Sequence, residues 1–315
     1  MSLKFQCIVA DIHDPSDAEQ PALEAAMALA HASGKARVLL FHNLYHKNFL
    51  EEDAPNDEML AEARELLIAD RRAKLTAIAD KLSNGIRVEV QTLWSAEGGL
   101  ELTRFAKEQS ADLVVAVTQP RTRWQRLTLG NEDWQLIRYC PAPLLLVRAG
   151  SAKTYSHAMA AIDPLHADDK PASLDHRILD AAAVLCSLNQ ARLDVINVVP
   201  PVLAAAPSVA EPLVATDMAA QKAATQAHQN RVGELVKKHG LEGAHIEVMV
   251  GDPADQIVDY AASEQCDLLI MGAVSRSALG RLLIGNTAEK VLDSVDCDLF
   301  IVKSETDKNG AEQAA

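Results

Sequence analysis

Short apolar runs alternate along this chain with longer stretches in which small and apolar residues recur every three or four positions. Residues 5–11 are an apolar run ending in Asp11, which predicts a strand. Residues 17–33 are alanine-rich with helical spacing, and residues 36–42 predict a second strand. Residues 58–83 predict a long amphipathic helix with Leu75, Ile78 and Leu82 on one face. Residues 86–93 alternate as a half-buried strand, and 98–110 are helical. Residues 112–118 read as a buried strand, 131–139 as a short helix and 143–148 as a last strand. The second half repeats the order, with strands near 157–163, 191–198, 244–250, 267–272 and 298–303 and helices between them.

The repetition extends to residues. Asp112-Leu-Val-Val-Ala matches Asp267-Leu-Leu-Ile-Met, and Leu129-Gly-Asn matches Ile284-Gly-Asn. Cys140-Pro-Ala-Pro-Leu-Leu-Leu-Val matches Cys297-Asp-Leu-Phe-Ile-Val after a small gap, and Val9-Ala-Asp11 is set against Ala161-Ile-Asp163. Two copies of one domain follow, over 1–150 and 151–305, with a polar, disordered tail at 306–315. Strands alternating with helices predict an α/β fold of two doubly wound, five-stranded parallel-sheet domains. With right-handed crossovers the natural strand order is 3-2-1-4-5. The order reverses between the first and fourth strands, and ligands bind in that crevice beyond the strand C-termini. The last strands, 143–148 and 298–303, are apolar edges. They are expected to pair antiparallel across a pseudo-two-fold axis within the chain, leaving other faces for a homo-oligomer.

At the second crevice the sequence runs Gly272-Ala-Val-Ser275-Arg276-Ser-Ala-Leu-Gly-Arg-Leu-Leu-Ile-Gly285-Asn286-Thr287 and enters a helix. Asn286 is placed to cap that helix, with Glu289 as the acid of a capping box. A glycine before a helix N-terminus leaves backbone N–H groups and a positive dipole end as a phosphate seat. Gly272 lets a ligand approach the strand end.

This loop resembles the Gly-x2-Gly-x9-Gly-Ser/Thr signature of the universal stress protein family, and the resemblance covers Met1 to about Lys303. Leu283-Ile-Gly-Asn-Thr-Ala-Glu and Asp133-Trp-Gln-Leu-Ile-Arg-Tyr-Cys-Pro-Ala-Pro are similar to the tandem, E-type subgroup. The resemblance implies a non-enzymatic stress-response regulator. It implies ATP with Mg2+ as ligand, the glycines and hydroxyl holding phosphate and ribose, and a first-strand Asp (Asp163) helping to hold adenosine. The nucleotide-binding set is Asp163, Gly272, Ser275, Arg276, Gly285, Asn286 and Thr287. Ser275 replaces the second glycine and Asn286 the final Ser/Thr. In the first half Val117 replaces the first glycine, and Pro120, which has no N–H, replaces the second, so that half is expected to be nucleotide-incompetent. Arg121, Arg123 and Arg126 there read as a solvated basic loop. Two other functions are weighed: a binding module for an apolar or lipid-like metabolite, and a slow ATPase.

Composition narrows the classes. Hydrophobic residues make up 49% of 315, enough for a core in each half. A net charge of −14, from 44 acidic and 30 basic residues, argues against nucleic-acid or anionic-membrane partners. Aromatics at 4% disfavour base-stacking platforms. The five cysteines are scattered in apolar contexts, as expected of buried, reduced thiols in a cytoplasmic protein. No signal peptide and no membrane-length apolar run is expected. His42 and His46 stand at a strand end, where their spacing does not converge on a metal, and His166, Asp168 and Asp169 form an acidic turn. No Walker A loop, Gly-x-Ser-x-Gly elbow or Gly-x-Gly-x-x-Gly fingerprint is present, and no nucleophile is paired with a base. Residues 200–215 read as a loop at the crevice mouth and a candidate lid.

Overall fold

The computed structural model describes residues 4–17, 19–34, 36–45, 57–82, 85–118, 131–148, 150, 154–165, 173–202, 217–273, 275–278 and 281–303. The first half holds β1 (Cys7–Asp11), α1 (Pro21–Ala32), β2 (Arg37–Asn43), α2 (Asp57–Leu82), β3 (Val88–Leu93), α3 (Gly98–Glu108), β4 (Leu113–Thr118), α4 (Asn131–Tyr139) and β5 (Leu144–Arg148). The second half holds β6 (His157–Ala161), α5 (Ser173–Asn189), β7 (Arg192–Val199), α6 (Met218–Lys238), β8 (His245–Val250), α7 (Pro253–Ser263) and β9 (Leu268–Gly272). It continues with β10 (Ser275–Ala278), β11 (Arg281–Ile284), α8 (Asn286–Ser294) and β12 (Asp298–Val302). Residues 119–130, with Pro120 and the three arginines, the part of the candidate lid from 203 to 215, His46, His166, Asp168, Asp169 and the tail lie outside the described residues.

Ten strands form one sheet in the order β3-β2-β1-β4-β5-β12-β9-β6-β7-β8. Each half therefore has the expected 3-2-1-4-5 order, and the halves join where β12 pairs antiparallel with β5, Phe300 opposite Leu145. The central strands are apolar on both sides because helices cover both faces. One core lies under α1, α2, α5 and α6 and holds Ile8, Leu75, Leu145, Ile178 and Phe300. The other lies under α3, α4, α7 and α8 and holds Val9, Leu102, Ile137, Ile257 and Ile301. Both cores run across the seam without a break. On α2 the buried stripe is Leu75 and Ala79 with Ile78 packed beside them; Leu82, at the helix end, is 38% exposed, a correction to its expected place on the buried face.

Two devices repeat between the halves. Asp112 accepts the backbone N–H groups of Gln6 and Cys7, both at 2.9 Å. Asp267 does the same for Ser156 at 2.7 Å and His157 at 3.0 Å. Each carboxylate ties the start of a fourth strand to the start of a first. The second half adds a buried hub at that end of the sheet. Asp194 is wholly buried, yet its carboxyl is held below the usual carboxylate range. Burial opposes the charge, and hydrogen bonds from His157 and Tyr260, both at 2.9 Å, outweigh it together with Arg192. All five cysteines are buried and none forms a disulfide; burial pushes the Cys266 and Cys297 thiols up to about 12.

The antiparallel hairpin β10–β11 was not expected from the sequence. It is inserted between β9 and α8, and β11 packs against α4 of the first half.

Candidate functional site

A cavity of about 340 Å³ opens in the second half where strand order reverses between β6 and β9. Its walls are mostly apolar: Ile162, Ile196, Val198 and Met271 from the strand ends, Leu174 and Ile178 from α5, Ile257 from α7. Asp163, Asn197 and Thr287 supply polar lining, and Gly272 and Gly285 supply bare backbone. Of the residues expected to form the site, Asp163, Gly272, Gly285 and Thr287 thus share one cavity. Ser275 and Arg276 fall on β10, and their side chains, like that of Asn286, lie outside the described residues.

The polar lining is held from behind. The backbone N–H of Asp163 donates to Asp175 Oδ1 at 3.1 Å, which fixes the Asp163-Pro164 turn to the first turn of α5. Asn197 donates to the Ile162 carbonyl at 2.9 Å, and its Oδ1 lies 2.7 Å from His228 Nδ1, which donates to it. Asn197, Asp175 and His228 were not singled out in the sequence. A lone Asn inside the run Val195-Ile-Asn-Val-Val was the available signal, because a polar side chain in a strand covered on both faces must find partners.

The two glycines differ in kind. A Cβ on Gly272 would lie 2.6 Å from Leu174 Cδ2, so any larger residue there must displace the buried Leu174 side chain. A Cβ on Gly285 would meet no described residue within 4 Å, and its backbone, φ −65° and ψ 144°, suits any residue. Gly285, not Asn286, is the N-cap of α8, which corrects the expected capping box. The chain is extended at Gly285, and its carbonyl takes the first helical bond, from Glu289 N–H at 3.0 Å. Gly285 has no side chain with which to cap α8, and Gly285, Thr287 and Ala288 line the cavity, which puts the first turn of α8 on its wall.

The first half departs from this plan in charge. Strand register sets Val117 beside Val147 as Gly272 is set beside Val302. It also corrects the repeat alignment: Ile8 pairs with Leu113 as Ala158 pairs with Leu268, so Ala161, not Asp163, is the counterpart of Asp11. The Asp-Pro step after each first strand is Asp14-Pro15 and Asp163-Pro164. Asp14 is occupied by Ser16 N–H at 2.8 Å and Arg71 at 3.0 Å. The Asp11 carboxyl is pushed up to about 6, by burial first and then by Glu132 and Asp133, against the pull of His13. Those two carboxylates occupy the first turn of α4, where α8 carries Thr287 and Ala288. Glu132 leans over α3, its Oε1 2.8 Å from where a Cβ on Gly98 would stand. The first turn of α8 carries one carboxylate, Glu289, and that of α4 carries two, so an anion is opposed more strongly at the head of α4. His42 is buried with Nδ1 2.6 Å from the Ile12 carbonyl, a core histidine.

Among the described residues no group of three or more His, Cys, Asp or Glu side chains could hold a metal ion, and no helix is long and apolar enough to cross a membrane.

Known proteins give a consistent picture. The chain is 24% identical over 307 residues to a universal stress protein E homolog of Haemophilus influenzae, covering 96% of this chain and 98% of that protein. It is 23% identical over 295 residues to universal stress protein E of Escherichia coli K12, covering 92% of each. Among solved structures, a putative universal stress protein from Pseudomonas aeruginosa UCBPP-PA14 shares the fold at a TM-score of 0.74 and 21% identity, over 98% of this chain and 97% of that one. The profile of the universal stress protein family matches twice in tandem, over residues 9–148 and 155–303, and the chain belongs to that family.

Proposed function

We propose that this protein is a stress-response regulator of the cytoplasm that binds one adenine nucleotide per chain, in the crevice of its second half. The observation that carries this is Gly285. Among the described residues nothing requires glycine there, and the position stands at the head of α8 and on the cavity wall. Bare backbone at that point serves a phosphate group, which needs close approach to N–H donors. The cavity volume falls within the ordinary range for small-molecule sites. Its apolar walls suit a base, and Asp163 and Asn197 suit ribose and base polar atoms. Asp163 is the one carboxylate lining the cavity among the described residues. Mg2+ would arrive on the phosphates, which with water supply its ligands, since Asp163 is used on the sugar or base. The first half, with Glu132 and Asp133 at the head of α4, is a degenerate partner that supplies half of the sheet.

An apolar metabolite is the competing occupant. The wall is dominated by Ile, Leu, Val and Met, and no Lys or Arg lines it among the described residues. Native mass spectrometry of the freshly purified chain separates the two. One nucleotide mass per chain, retained or regained on adding ATP, supports the nucleotide. An apolar adduct that ATP does not displace supports the alternative and overturns the proposal.

A further inference from the structure

His176, in the first turn of α5, faces His239, the C-terminal cap of α6, with His176 Nδ1 2.8 Å from His239 Nε2. The other ring nitrogen of His239 lies 2.9 Å from Asp180 Oδ1. A carboxylate only accepts, so His239 Nδ1 carries a proton. With both rings neutral, His239 Nε2 is then a lone pair and His176 Nδ1–H donates to it. One added proton leaves a single hydrogen between the facing nitrogens, and the bond persists. A second added proton puts hydrogen on both, and the 2.8 Å approach can no longer be held.

The same turn of α5 is a wall of the cavity. Leu174 fills the space over Gly272, Asp175 accepts the Asp163 N–H, and Ile178 lines the cavity one turn further on. Leu179 and Ala182 of α5 share one apolar core with Val232 and Val236 of α6, and the His176–His239 bond adds a polar tie at the end of α6.

We propose that His176 and His239 form a proton-operated latch: it holds the first turns of α5 to the end of α6 until both rings are charged, and its release loosens the wall of the crevice. The groups facing His176 are Asp175 and Asp180 on α5 and Lys238 and His239 at the end of α6. Burial, Lys238 and His239 lower the His176 value below the ordinary 6.5, and the two carboxylates do not offset them. A histidine lowered in the folded state costs nothing above that ordinary value. It opposes the closed latch increasingly as pH falls below it. The latch does not depend on what the crevice binds; its effect on nucleotide rests on the function proposed above.

Hydrogen exchange of the amides of residues 173–180, corrected for intrinsic rates, tests the latch without any ligand. In the wild type, protection is expected to fall about tenfold between about pH 7.5 and pH 5.5. In His176→Gln it is expected to change less than about twofold, because the amide can donate to neutral His239 or accept from the charged ring. Unchanged wild-type protection, or the same fall in His176→Gln, overturns the latch. Parallel ATP titrations read the coupling. Affinity is expected to weaken at the lower pH in the wild type only. An opening latch with pH-independent ATP affinity overturns the coupling. No ATP binding at either pH overturns the nucleotide reading, and exchange alone then decides the latch.

Discussion

The backbone N–H of Arg148 donates to Asp298 Oδ1 at 2.9 Å, joining the last strand of the first half to the last strand of the second. Tyr155 O–H donates to the other oxygen of the same buried carboxylate at 3.0 Å, and the Arg148 guanidinium reaches Asp296 at 2.8 Å. Beside them Phe5 and Phe300 meet edge to face across the halves, with ring centroids 6.4 Å apart. The seam is thus both a ladder of strand hydrogen bonds and the middle of the core.

Phe300→Ala should therefore cost about 3–5 kcal/mol, the usual range for a buried aromatic. Leu145→Asp and Phe300→Asp, each burying an unpaired charge, should abolish cooperative unfolding of the intact chain. Urea titration followed by circular dichroism checks this. A wild-type midpoint for Phe300→Asp would contradict the seam.

Asp11 gives a pH signature. Its folded value of about 6 lies above the ordinary 3.8, so in that window the folded chain keeps a proton that the unfolded chain releases. Its contribution to stability is present below the lower value and is lost as pH rises through the upper one. Asp11→Asn should stabilise the protein by about 1–2 kcal/mol near pH 7.5 and far less near pH 4. Urea midpoints at both pH values test the sign, and equal effects at both would contradict it.

The two crevice glycines should separate packing from ligand approach. Gly272→Val drives a Cβ into Leu174 and should destabilise by about 1–3 kcal/mol, as overpacking does. Gly285→Val enters open space in a backbone conformation that valine adopts, and should leave the melting temperature nearly unchanged. Thermal melts of both variants decide this, and a large loss in Gly285→Val would assign that glycine to the fold.

The strand order and the seam were legible in the sequence because apolar runs mark strands covered on both faces, and each half's last run, Leu144–Arg148 and Asp298–Val302, reads plainly. The hairpin β10–β11 was missed because Ser275–Ala278 and Arg281–Ile284 are four residues each and share no apolar alternation. The offset between Asp11 and Asp163 is not legible in the sequence because similar triplets fit two registers, and the strand partners Leu113 and Leu268 separate them. Asn286 is the better cap by residue type, whereas the extended backbone stops one residue earlier, at Gly285. The polar ties escaped notice for a different reason. His176 and His239 lie 63 residues apart, and Asp194 and Tyr260 lie 66 apart. Each looks like an ordinary surface residue until the fold brings its partner to it.

Calorimetric titration of ATP into the wild-type chain and into Gly285→Val tests the central claim most directly. One site per chain in the wild type and none in the variant, with the variant still folded, is the expected result. Two equivalent sites per chain, or binding that survives Gly285→Val unchanged, would contradict it.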